Sequence, residues 1–376
     1  MKFSLRLSIC SVFIVVGFSG CSNDKNDKAV LQLDEGLNST PKVDTLVKHT
    51  DTLSIVAVGD IMLGSSYPSE KHLPPDDAKN SFVAVDSLLT GDVVFGNLEG
   101  VLLNDGKTTK IDTLKLKTKY AFRMPERYGG ILKRAGFNVL SIANNHIGDF
   151  GMKGRMTTAK ILDSLKINYA GQLQKPFAVF TINKVKYGFC AFAPNANTVS
   201  INDVTAAKAI VSRLKDSVDV VIVSFHGGGE GNSFQRVTRK KEVFYKENRG
   251  NVYEFAHAVI DAGADVVLGH GPHVTRAVEI YRSKFIAYSL GNFCTRGTFS
   301  LARENGFAPL LRLKIDRKGN FLSAEVISVK QDKINGLTLD GKERAFKKMK
   351  ELTDADFPGH SLKFEGNTIK LVDLAF

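Results

Sequence analysis

Cysteine is scarce in this chain, four in 376 residues, and no two fall at metal-ligand spacing, so a thiolate-based metal module is excluded. No glycine-rich lysine loop of the ATP-grasping kind appears, which leaves no sign of a nucleotide-driven synthase. A nucleic-acid motif is also missing, although a formal charge of +12 would otherwise invite that partner. There is no internal repeat, and the apolar run at 7–18 is too short to span a membrane convincingly.

What remains is a composition of 43% hydrophobic and 24% charged residues, as expected of a globular chain holding one large or two ordinary domains. The start reads as an export signal: Met1-Lys2-Phe3-Ser4-Leu5-Arg6 is basic, 7–18 is apolar, and Ser19-Gly20 leads into Cys21. The small residues before Cys21 resemble a bacterial lipobox, so 1–21 is expected to be a lipoprotein signal peptide and Cys21 the lipidated residue. The protein is then expected on the periplasmic side or the surface of the cell envelope. Residues 22–51 are polar with little apolar periodicity and read as a flexible tether. Cys10 leaves with the signal. Cys190 and Cys294 lie in apolar runs and read as buried thiols, although an exported protein also permits a disulfide. The positive charge suits an anionic polymer or anionic lipid head groups, or is simply a solvated basic surface.

The organising pattern lies where apolar runs end. The stretch 137–143 feeds into Asn144-Asn145-His146, and 55–58 into Gly59-Asp60. Likewise 93–95 precedes Gly96-Asn97-Leu98-Glu99, 220–225 precedes His226, and 266–268 precedes Gly269-His270-Gly271-Pro272-His273. Short apolar runs bounded by glycine read as buried strands, and in an open α/β sheet ligands sit at strand carboxyl ends. Three histidines, two carboxylates and an amide at one rim make a metal-ligand inventory that suits Mn, Fe or Zn, as one or two ions, rather than Ca or Mg. The alternative for the Asn144–His146 segment alone is an asparagine-rich turn with a loop histidine.

The series GDIML, GNLEG, SIANNHIGDFG, SFHGGGE, GHGPH and YSLGNF, over 52–313, resembles the CapA family of poly-γ-glutamate capsule synthesis proteins, itself related to calcineurin-like metallophosphoesterases. That resemblance implies an α/β fold, a four-layer αββα sandwich of the calcineurin-like metallophosphoesterase type, over 52–330, with a small C-terminal extension at 331–376 packing on the same domain. It further implies that Asp60 and His273 hold a first metal and Glu99 takes the bridging place. Asn145, His226 and His270 then hold a second. His146 would stand beside the ions as a proton donor or charge stabiliser. Two departures fall on the first metal: Met62 stands where phosphoesterases carry histidine, and Glu99 is a methylene longer than the usual aspartate. Gly227 and Gly271 also replace an aromatic residue and a histidine common among CapA relatives. The resemblance implies an envelope protein making or exporting an anionic capsule polymer. It would act as a metal-dependent phosphoesterase-like hydrolase, or as a non-catalytic binding component of a polymer synthase complex. Its substrate is then the polymer or a phosphorylated envelope compound.

Other residues carry two readings each. Asp149, three residues after His146, either orients that imidazole or is a helix N-terminal acid. Asn144 and Arg123 are candidates to touch substrate, the latter also explicable as a surface arginine. Glu230 is a candidate substrate-binding group or a group behind the ligands, on a Gly227-Gly228-Gly229 run that reads as flexible. Asn292 either touches the rim or closes a turn. His257 reads as a helix-face residue. Helices are expected over 81–89, 125–135, 154–165, 204–216, 251–262 and 342–352. The polar stretch 102–119 reads as an excursion or hairpin over the site.

Overall fold

In the computed structural model, which describes residues 52–109, 120–297, 299–332 and 336–372, the apolar run 53–58 lies within an eleven-residue strand, β1 (Thr52–Met62). There follow β2 (Val93–Leu98), β3 (Val101–Leu102), β4 (Arg123–Met124), helix α1 (Tyr128–Arg134), β5 (Val139–Ser141), α2 (Gly151–Ser164) and β6 (Asn168–Ala170). The chain continues through β7 (Phe177–Ile182), β8 (Val185–Phe192), α3 (Val204–Lys215), β9 (Val220–His226), β10 (Val243–Phe244), β11 (Glu247–Asn248) and α4 (Val252–Asp261). Next come β12 (Val266–His270), β13 (Val278–Tyr281), β14 (Lys284–Ala287), β15 (Asn292–Thr295) and β16 (Phe307–Asp316). The last elements are β17 (Phe321–Asp332), β18 (Gly336–Leu339), α5 (Arg344–Asp356), β19 (Leu362–Glu365) and β20 (Thr368–Leu371).

Ten strands form one sheet, in the order β19-β20-β17-β16-β1-β2-β5-β6, with β15 beside the end of β1 and β18 beside β17. Six form a second sheet, β13-β14-β12-β9-β8-β7. Side chains alternate across each strand, so both sheets need cover on two faces. Ile55, Ala57, Phe95 and Val139 of the large sheet meet Phe189, Ile222 and Leu268 of the small one in a central core. There the Phe95 and Phe189 rings pack with centroids 5.6 Å apart. The opposite faces are closed by Leu132 and Leu162 from α1 and α2, and by Val211 and Phe255 from α3 and α4. The layers are therefore helix, sheet, sheet, helix. Each fully buried leucine, isoleucine or phenylalanine here contributes roughly 1.5–3 kcal/mol.

Most expected elements stand within a few residues of their places, and α3 and α4 start on side-chain caps. Asp203 accepts from Ala206 N–H at 2.9 Å, and Asn251 from Glu254 N–H at 3.3 Å. The stretch 81–89 differs. Three-residue-spaced bonds such as Val85 N–H to Phe82 O hold a run of turns, and only Asp86–Leu88 is helical, of the 3-10 kind. Asp86 takes its neighbour Ser87's N–H onto its own carboxylate at 2.7 Å, a local bond that competes with helix.

The boundary drawn at 330 falls inside β17, and the residues that follow pack on the same domain. β19 and β20 extend the large sheet, while α5 turns Phe346 and Met349 into the central core and Leu352 towards the outer one. Cys190 and Cys294 are free thiols, both buried; burial pushes the Cys190 thiol far up and Cys294 to about 12. The signal, Cys21 and the tether lie outside the described residues, as does 110–119 of the expected excursion. Among the described residues no helix is long and apolar enough to cross a membrane.

Candidate metal centre

The parallel strands of both sheets end at one rim. Asp60 on β1 is in register with Asn97 on β2 and with Asn292 on β15, while His226 on β9 is in register with His270 on β12. Glu99 follows β2, and its N–H donates to Ile61 O at 3.0 Å. Asp60, Glu99 and His226 thereby bring one donor atom each within 4.8 Å of the others, all three side chains fully buried.

His273 closes this group from the loop after β12, with a left-handed φ of 59° that is uncommon for any residue but glycine. Its Nδ1 lies 2.9 Å from Asp60 Oδ2, and its Nε2 lies 3.6 Å from Glu99 Oε1. His270 Nδ1 is 3.3 Å from Asp60 Oδ1, an ion-pair distance without hydrogen-bond alignment. Both Glu99 oxygens, His226 Nε2, both His270 ring nitrogens and Asn145 Oδ1 are buried with no hydrogen-bond partner. Leaving one such atom unsatisfied costs about 1–3 kcal/mol, and the donors of Asp60, Glu99 and His226, within 4.8 Å of one another, call for a common partner. Carboxylate oxygens, imidazole nitrogens and an amide oxygen together fit a divalent cation.

The charges divide: Asp60 and His226 are held in their ligand forms, whereas Glu99 and His273 hold a shared proton that a cation would displace. Burial alone would raise Asp60, but the imidazoles of His270 and His273 hold its carboxyl well below the usual range. Glu99 goes the other way: burial pushes it well up, His273 offsets this in part, and the negative charges of Asp60 and Glu230 add to it. Burial holds His226 neutral, as a metal ligand requires. For His273 the penalty of burial is outweighed by Glu99 and Asp60, and its pKa rises to about 10.

Beside this group stands His146, its Nε2 3.9 Å from Glu99 Oε1 and its Nδ1 2.8 Å from Asp149 Oδ2. The Phe122 ring stacks on the imidazole at 3.9 Å between centroids and shields that face from water. Phe299 packs against both Phe122 and His273. The described part of the excursion reaches here too, with Thr109 N–H donating to Asp149 O at 2.9 Å.

Several expected contact residues have other work. Asn144 donates to Asn97 Oδ1 and Leu98 O and accepts from the His146 and Ile147 N–H groups, which leaves its amide nothing for a substrate. Arg123 donates to Ser66 Oγ, Ser66 O and Gly106 O with its guanidinium against the Tyr67 and Phe150 rings, so it fastens loops rather than addressing an anion. Asn292 is buried beside Asp60, donating to Asn305 O at 3.2 Å, while its Oδ1 has no partner. Met62 lies fully buried in the helix-side core. Glu230 stands at the rim, with Oε2 4.0 Å from His273 Nε2. His257 is on α4, its Nε2 2.9 Å from Glu279 Oε2, away from this group.

Asn97 was not singled out by sequence, yet it is a hub. Its Nδ2 donates to Asp60 Oδ1 at 2.9 Å and lies 3.4 Å from His226 Nδ1. Its position two residues before Glu99, at the same strand end, was the available signal.

The family model for the bacterial capsule synthesis protein PGA_cap matches residues 54–296. The capsule biosynthesis protein CapA of Bacillus anthracis is 32% identical over 270 residues, 66% of this chain and 61% of that protein. The chain thus spans less than two thirds of that relative's length. The PGA biosynthesis protein CapA of Bacillus subtilis is 29% identical over 76% of this chain and 74% of its own length. Among solved structures, the NAD nucleotidase of Haemophilus influenzae aligns with 84% of this chain and 57% of its own, at 12% identity and a TM-score of 0.36.

Proposed function

The chain belongs to the bacterial capsule synthesis protein family, and from that premise we propose that it acts in the cell envelope on an anionic capsule polymer of the poly-γ-glutamate type, through a divalent-cation-dependent hydrolytic site. The observation that carries this reading is the convergence of Asp60, Glu99 and His226 with their buried, unpartnered donor atoms.

Asp60, Glu99, His226, His270, His273 and Asn145 are the residues that would hold the ion, with Mn, Fe or Zn the elements their donors suit. When bound, the ion supplies Lewis-acid polarisation of a phosphoryl or carbonyl oxygen. The protein's own part is acid–base and steric. With Nδ1–H given to Asp149, His146 presents Nε2 towards the group's interior, placed to exchange a proton with a leaving oxygen or nitrogen. Phe122 keeps that imidazole dry. A phosphorylated envelope compound is the other substrate class this arrangement suits. Attachment through Cys21 to the membrane, alongside a polymer synthase, belongs to the same proposal.

The net charge of +12 favours a second reading, in which the domain holds the anionic polymer without cleaving it. One set of measurements separates the two. Elemental analysis of purified full-length protein should find a transition metal that the Asp60→Ala variant lacks. The loaded protein should cleave bis-(p-nitrophenyl) phosphate or poly-γ-glutamate. Equal trace metal in wild type and variant removes the metal centre; metal without cleavage, but with salt-sensitive retention of polymer, leaves the binding reading.

A further inference from the structure

The segment after β9, Gly227-Gly228-Gly229-Glu230, is built in rather than loose. Its glycines are buried, and their N–H groups donate to His270 O, Arg249 O and Glu242 Oε2, each at 2.8 Å. The expectation of a flexible loop is corrected here: glycine serves close approach rather than mobility, since a Cβ at Gly228 would stand 2.9 Å from Arg276 Nη1.

Arg249 holds this segment from inside. Its side chain is 1% exposed, with Nε donating to Gly228 O at 3.0 Å and Nη1 to Glu247 Oε2 at 3.0 Å. Its Nη2 lies 3.1 Å from Glu230 Oε1. The other oxygen of that carboxylate, Oε2, is 4.0 Å from His273 Nε2, the same nitrogen that lies 3.6 Å from Glu99 Oε1. One carboxylate thus has one oxygen in an ion pair with a buried guanidinium and the other facing an imidazole of the centre.

We propose that Glu230 is a further carboxylate donor of the metal centre and that Arg249 is the positioning residue that aims it. The inference rests on reading the Asp60–Glu99–His226 group as a cation site. A donor delivered from a mobile loop would lose conformational freedom on binding, whereas one held in advance does not. The fork of an arginine serves here because it donates to Gly228 O and Glu247 Oε2 on two separate segments and still pairs in charge with Glu230; a lysine offers a single point. A buried guanidinium this close would also repel a cation unless carboxylates neutralise it, and Glu230 and Glu247 do so. Neutralisation alone is therefore the rival account, and chain length distinguishes the two, because a shorter acid keeps the charge but not the reach.

The test is Mn²⁺ titration of metal-stripped full-length protein, followed by the electron spin resonance signal of free ion, with melting temperature measured alongside. Glu230→Gln should bind Mn²⁺ about 10–100-fold more weakly. Glu230→Asp should be weakened by a similar factor, and Arg249→Lys should lose affinity without further loss when combined with Glu230→Gln. The Glu230 substitutions sit on a partly exposed side chain, so they decide the matter even if Arg249→Lys melts early. Wild-type affinity in Glu230→Gln, or in Glu230→Asp alone, overturns the donor role while leaving the metal centre intact. No Mn²⁺ uptake by wild type overturns the centre itself, and this inference with it.

Discussion

His146 Nδ1 lies 2.8 Å from Asp149 Oδ2, and the same carboxylate oxygen accepts the Phe122 N–H at 2.8 Å. One acid therefore fixes both an imidazole and the backbone of the phenylalanine stacked upon it. With Nδ1–H donated to a carboxylate, Nε2 is the acceptor nitrogen, the form a general base needs. Asp149→Asn would present an amide able to donate and so favour the other tautomer. Phosphodiester or polymer cleavage should fall about 10²–10⁴-fold, the usual reach of acid–base catalysis, while bound metal stays unchanged. Metal loss in step with activity would assign Asp149 to the metal centre instead.

Removing single donors should have graded effects on metal. Asp60 has a carboxylate at the centre of the group, with Asn97, His270 and His273 all around it. Asp60→Ala should abolish metal retention through gel filtration. Asn145→Ala removes one neutral amide oxygen and should weaken retention less than His226→Ala does. Elemental analysis reads all three, and indifference of metal content to Asp60→Ala would refute the assignment.

Much of this arrangement is legible in the chain because β1, β2, β5, β9 and β12 are buried strands whose apolar runs stop at the rim. A reader who finds where Val58 gives way to Asp60, or Phe225 to His226, has found the strand's carboxyl end. The order of layers is less visible, since periodicity shows buried faces but not which sheet covers them. Asn144 was misjudged because its four bonds go to partners 2, 3, 46 and 47 residues away, and sequence shows none of the distant ones. Arg249 was missed for the same reason. An arginine between Asn248 and Gly250 has the composition of an exposed turn, and only the fold reveals that Gly228 and Glu230 close over it.

Gly271 and Pro272 separate His270 from His273, and the φ of Gly271 is 111°. A Cβ there would lie 2.8 Å from Gly227 O and 2.9 Å from Gly227 N, backbone atoms that cannot swing aside. Gly231 also has a positive φ, 87°, but open space around its Cβ position. With a ψ of −175° it is in a region that is almost exclusively glycine's, so Gly231→Ala should cost the backbone strain alone, about 1–3 kcal/mol. Gly271→Ala should cost that plus about 1–3 kcal/mol of overpacking, and should weaken Mn²⁺ binding by displacing the Gly227 N–H bond to His270 O. Chemical denaturation of both variants provides the comparison. Equal losses would mean the loop yields where the contacts say it does not.

Proton linkage yields a prediction for the metal-stripped protein. His273 is raised from 6.5 to about 10, so the stability it contributes is complete below pH 6.5 and drains away as pH rises through 10. Glu99 faces the same imidazole and burial raises its pKa too, so the pair holds one shared proton that is lost as pH rises. Asp60, held low, contributes stability present above 3.8 and lost only in stronger acid, and His226, also held low, loses its contribution as pH falls below 6.5. Between pH 6.5 and 9 the first two govern. The melting temperature of the stripped protein should then fall by several degrees, at roughly 2 °C per kcal/mol for a chain of this size. A divalent cation takes the place of that proton, so added Mn²⁺ should raise the melting temperature by more at pH 9 than at pH 6.5. Parallel melting curves at the two values, with and without Mn²⁺, would mean that His273 and Glu99 do not share the proton their positions imply.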